Sequence, residues 1–118
     1  MSEYIFLFRS NAKDHEAHMG TPERAKESMA GWLVWVRELE AKGHLKDPGQ
    51  PLAAQGAVVK RGAKLVTDGP YVEAKDLVLG YMLIEARDLA QATELAKGCP
   101  MLAGDASVEI RPIEKLSF

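Results

Sequence analysis

Apolar residues in this chain fall into short blocks separated by polar or glycine- and proline-marked segments, and the spacing inside each block predicts the element it forms. Tyr4 to Phe8 is an unbroken apolar run, rich in aromatic residues and too short for a helix. It predicts a first strand, ended by a polar loop from Arg9 to Gly20. Thr21 and Pro22 have the form of an N-cap followed by proline in the first helical turn, and Gly43 stands where a C-terminal glycine belongs. Between them Met29, Trp32, Leu33, Val36 and Leu39 make a core-facing stripe at helical spacing, with Trp35 on its flank.

From Leu45 to Pro51 the pattern predicts irregular chain, punctuated by Pro48, Gly49 and Pro51. Gly56 to Lys60 and Ala63 to Thr67 follow as a hairpin turning at Arg61 and Gly62. Gly80 to Ala86 is a further strand. Asp88 then caps a second helix striped by Leu89, Ala92, Leu95 and Ala96 and closed by Gly98, and Ser107 to Ile113 supplies the last strand.

The order β, α, β-hairpin, β, α, β predicts an α+β fold of the ferredoxin-like sandwich type, an antiparallel sheet with two helices on one face. Tyr4 to Phe8 and Tyr81 to Ile84 are apolar at every position, so both faces of these strands avoid water. Two helices on one side cannot meet that demand. A second copy of the chain, sheet against sheet, is the simplest cover, and it predicts a homodimer of the dimeric α+β barrel kind with a small-ligand cavity between the sheets.

Composition narrows the function classes. With 118 residues the chain holds a single domain over 1–118, and 47% apolar with 27% charged residues is ordinary for a water-soluble fold. A net charge of −2 with scattered basic residues predicts no nucleic-acid partner. The absence of a long apolar run predicts no membrane partner, and the N-terminus lacks the basic head of a secretion signal. A lone Cys99 beside Pro100, Met101 and Leu102 reads as a small buried hydrophobe, which together with these points predicts a cytoplasmic protein.

The densest motif is T-D-G-P-Y-V-E-A-K-D-L-V-L-G-Y, Thr67 to Tyr81. Glycine and proline fix the turn after a strand, so the Asp68 carboxylate is held at a rigid strand end, either as a turn residue bonding its own backbone or as a general acid or base. Tyr71, Glu73, Trp32, Trp35 and Arg9 are the candidate ligand-binding residues: aromatic surface, a loop carboxylate and a guanidinium fork. Lys75 and Arg111 are secondary anchors. His15 and His18, three apart, would offer a metal two ligands were the segment helical, but with no third ligand marked no metal site is predicted, and no cofactor motif occurs.

The run L-V-T-D-G-P-Y-V-E-A-K-D, with L-G-Y-M-L-I-E-A-R-D-L-A-Q-A and V-E-I-R-P-I, resembles the YCII-related family, in particular the branch marked by an Asp-Gly-Pro-Phe motif. The likeness covers nearly the whole chain and implies a dimeric α+β barrel. It implies little about activity, beyond the regulatory company of alternative sigma factors. Tyr71 stands where the family has phenylalanine. The YciI-like branch resembles a His-Asp enzyme with its histidine on the first helix; the matching register here holds Trp32, so no dyad carries over. Two functions follow as expectations: a module binding a small organic ligand, in a regulatory role, or a cofactor-free enzyme of lyase, isomerase or dehalogenating type that works through Asp68.

Overall fold

A computed structural model of the chain describes residues 1–67 and 76–117. The elements follow in the order β1 (Ser2–Ser10), α1 (Ala12–Met19), α2 (Pro22–Ala41), β2 (Leu45–Asp47), β3 (Val58–Lys60), β4 (Lys64–Thr67), β5 (Leu77–Ala86), α3 (Leu89–Ala96) and β6 (Ser107–Pro112). A four-stranded antiparallel sheet has the order β2-β5-β1-β6, and β3 and β4 pair separately as the hairpin expected from the sequence. The fold is thus mixed α+β.

Burial along β1 alternates strictly, because successive side chains of a strand point to opposite faces. Tyr4, Phe6, Phe8 and Ser10 are buried on one face, while Ile5, Leu7 and Arg9 stay half-buried on the other. Register carries the same division across the sheet: Phe6 lies opposite Met82 and Ile110, and Leu7 opposite Tyr81 and Glu109. A register shift between Phe8 and Arg9 then places Leu77 opposite Ser10.

Both long-range helical layers pack on the Phe6 face. Trp35 and Leu39 of α2 and Ala92 and Ala96 of α3 join Phe6, Met82 and Ile84 in one core, with Phe6, Met82 and Ile84 at 0% exposure. Phe6 and Trp35 stack with centroids 6.1 Å apart and planes 8° from parallel, and the Trp35 indole N–H donates to the Leu95 carbonyl at 3.2 Å. The molecule is only 18 Å deep in its thinnest direction, the depth of a sheet and one helical layer.

The N-cap of α2 is Thr21, whose hydroxyl accepts from the Arg24 N–H, and its C-terminal glycine is Gly43 with φ 77°. Asp88 caps α3 through the Gln91 N–H at 2.8 Å. Three expectations need correction. The polar stretch read as a loop holds a helix, α1, because Asn11 accepts from the Asp14 N–H at 2.6 Å and starts it without any buried apolar stripe. Leu45–Asp47 is a short strand pairing with β5 rather than irregular chain, its backbone partners being supplied by the exposed edge of β5. The α2 stripe is rotated: Trp35 is buried, while Met29 and Leu33 are 42% and 45% exposed, since the aromatic surface of Phe6 and Phe8 draws the larger indole inward.

The Phe6→Ala substitution removes a fully buried ring from the centre of this core. It is expected to lower unfolding stability by about 3–5 kcal/mol, read as a lower urea midpoint with an unchanged denaturant slope.

Candidate functional site

A pocket of about 370 Å³ opens between α1, α2, the segment Pro48–Leu52 and the β5 strand. Phe8, Trp32, Met29, Met19, Leu79 and Met101 give it apolar walls, and Ser10, Asp14, His15 and His18 form a polar end. That composition, a greasy cavity with a few convergent polar groups, is what small-molecule sites share.

Each wall has a local cause. Phe8 meets Trp32 edge to face at 4.9 Å, and Trp32 meets Trp35 at 5.2 Å, so the indole lining the pocket is braced by the one in the core. The Pro48–Leu52 segment runs beside β5, with Leu52 N–H donating to Leu79 at 2.9 Å and Tyr81 N–H to Gln50 at 3.3 Å. Gly49 has φ 71°, and a Cβ there would collide with the Tyr81 carbonyl, so the wall can stand this close only with glycine at that point.

The polar end is built on α1. Ser10, 3% exposed at the end of β1, donates its hydroxyl to Asp14 Oδ2 at 2.6 Å. Asp14 Oδ1 accepts from the Asp105 N–H at 3.1 Å and lies 3.5 Å from His18 Nδ1. His18 Nδ1 is 2.9 Å from the Asp14 carbonyl, and Ser28 on α2 donates to the His18 carbonyl at 2.8 Å, tying the two helices together. Burial alone would raise the Asp14 carboxyl, but hydrogen bonds from Ser10 and Asp105 and the nearby His18 and His15 outweigh it and hold its pKa below the ordinary carboxylate value. Gly104 stands behind the pair: a Cβ there would lie 2.5 Å from Asp14 Oδ1 and 2.7 Å from His18 Cε1.

A family model for the YCII-related domain matches residues 6–117. The chain belongs to the YCII-related family. Comparison with curated proteins finds no match. No helix among the described residues of this YCII-related domain is long and apolar enough to cross a membrane.

The residues singled out from the sequence end up in different places. Trp32 lines the pocket, whereas Trp35 is core. Arg9 lies on the opposite sheet face, where its guanidinium bonds Glu109 at 2.7 Å and Asp76 at 3.3 Å. Arg111 is exposed on β6. Asp68, Tyr71, Glu73 and Lys75 lie outside the described residues. His15 and His18 are helical rather than in a loop, and among the described residues no three His, Cys, Asp or Glu side chains gather as metal ligands. His44 packs its Nδ1 2.8 Å from the Glu85 carbonyl.

Cys99 is 3% exposed, and burial pushes its thiol up to about 11, in keeping with the small hydrophobe expected from the sequence.

Asp14 neighbours His15 and His18 in the sequence, but its link to Ser10 and Asp105 is not legible there, because 91 residues separate Asp14 from Asp105 and no periodicity marks the pair. One signal was present: Asn11 followed three residues later by Asp14 is an N-cap with an acidic first turn, which would have made the segment helical and put Asp14 and His18 on one face.

The depressed pKa of Asp14 makes its stabilisation fully present above the unfolded-state value of about 3.9 and lost as pH falls from there through the folded value. Asp14→Asn is therefore expected to be less stable than the parent at pH 7, with the gap closing below about pH 4 in urea titrations.

Proposed function

We propose that this YCII-related protein binds a small, largely apolar organic ligand, as a cytoplasmic homodimer with a regulatory role, and that the site is the pocket beneath α1 on the helical side of the sheet, rather than the cavity between paired sheets expected from the sequence. The observation that carries the ligand is the cavity itself, with Trp32, Phe8 and three methionines on its walls and the cluster around Asp14 at one end. Methionine surrounds adapt to ligand shape, and the braced indole offers a flat partner for a ring. Among the described residues no lysine or arginine lines the pocket, which favours a ligand without strong negative charge. Asp68, through which the enzymatic alternative would work, lies outside the described residues.

The homodimer rests on the sheet face turned away from the helices. Ile5, Leu7, Val78, Tyr81 and Leu83 form a half-buried apolar band there. Lys46, Glu3 and Glu85 border it at one end, and Arg9, Glu109 and Asp76 at the other. An apolar centre with a rim carrying both charge signs suits a surface that meets its own copy. The strand order, with the β2, β5, β1 and β6 strands matching the sequence of a split β-α-β repeat once the β3-β4 hairpin is taken as an insertion, supports the ferredoxin-like sandwich and, in pairs, the dimeric α+β barrel. The D-G-P-Y run supports placement in the Asp-Gly-Pro-Phe branch.

Titration of 4-nitroanisole, a flat neutral probe, against the protein's tryptophan fluorescence is expected to give saturable binding. Met29→Trp, which fills the pocket from α2, is expected to weaken it by at least about tenfold; absence of saturable binding to the parent refutes the pocket. Sedimentation of the parent is expected to give twice the mass of one chain, and Leu83→Glu, which charges the middle of the apolar band, is expected to give a folded monomer.

A further inference from the structure

The tautomer of His18 follows from its surroundings. A backbone carbonyl can only accept, so the nitrogen 2.9 Å from the Asp14 carbonyl, Nδ1, carries the proton in the neutral ring. The other nitrogen, Nε2, then holds a lone pair, and it has no hydrogen-bond partner among the described residues. The ring lines the pocket with its side chain 47% exposed, whereas the Asp14 side chain beside it is 11% exposed. A nearby carboxylate held by Ser10 and the Asp105 N–H would balance a positive ring, which is the base-and-orienter arrangement of acid–base sites.

Resting on the pocket reading above, we infer that the polar end of the cavity is a proton-accepting site for a weakly acidic hydroxyl, phenolic or enolic, on an otherwise apolar ligand, with His18 Nε2 as acceptor and Asp14 as its positioning carboxylate. The step needs no co-reactant. The ligand's O–H bond breaks with its electron pair left on oxygen, and an N–H bond forms at Nε2. The resulting imidazolium lies between the ligand oxyanion and Asp14. The other titratable side chain facing the cavity among the described residues is His15, on the same helix; the Tyr81 side chain belongs to the opposite sheet face. No lysine or arginine among the described residues competes for the oxyanion. Phe8, Trp32, Met29 and Met101 supply apolar surface for the rest of the ligand. Gly104 keeps this end open: a side chain there would press on Asp14 and His18 together.

The test uses 4-nitrophenol, whose anion absorbs at longer wavelength than the neutral form, beside 4-nitroanisole, which has no proton to give. At a pH about one unit below the probe's own pKa, saturating protein is expected to bring up the anion band of bound 4-nitrophenol. His18→Gln is expected to bind 4-nitrophenol at least about tenfold more weakly and to leave it neutral, with a smaller loss of affinity for 4-nitroanisole, which gives up no proton. Binding of both probes by the parent without the anion band overturns the inference and leaves the pocket standing, as does an anion band that survives His18→Gln. Failure of both probes to bind overturns the pocket and the inference with it.

Discussion

The contact between the first strand and the α2 helix organises everything else. Phe6 and Phe8 project from the same face of β1, and Trp35 lies parallel to the first ring and edge-on to the second. Burying this much aromatic surface in one place fixes the height and rotation of α2 over the sheet. The indole N–H then finds its acceptor on α3, at Leu95, so one side chain ties the two helices together over the sheet. Trp32, one turn earlier, is held against Phe8 and Trp35 and acquires a defined orientation at the cavity wall. The candidate site is in this sense an outgrowth of the core.

Much of this arrangement was legible in the sequence. Unbroken apolar runs marked the β1 and β5 strands, and helix punctuation at Thr21, Pro22, Gly43, Asp88 and Gly98 marked α2 and α3, because caps and stops are local chemistry. Helix rotation was not, since Met29, Leu33 and Trp35 are all apolar and only the partner surface chooses among them. The α1 helix was hidden for a related reason: it buries no residue, so hydrophobic periodicity had nothing to report. Its polar face carries the Asp14 and His18 pair, which is why the most suggestive chemistry of the described chain was weighed only as a metal site and set aside.

The family assignment and the geometry bear on different questions. Membership of the YCII-related family over residues 6–117 accounts for the sheet and its helices, which many activities can share. The cavity's polar end depends instead on individual residues: Ser10 at a strand end, Asp14 and His18 one helical turn apart, and a loop amide from Asp105. A fold sets where such groups can gather; their identity decides what they do.

The glycine at position 49 has a consequence beyond shaping the cavity. By letting the chain lie against Tyr81, it allows Gln50 and Leu52 to engage the outer hydrogen-bonding groups of β5 past the point where β2 ends. Pro48 and Pro51, which have no N–H to donate, punctuate this strap, and Pro51 bridges to Gly80. An incoming strand from another molecule would find the ladder already taken. Strand addition at this edge is thereby blocked, and among the described residues the outer edge of β6 is left as the free edge of the sheet.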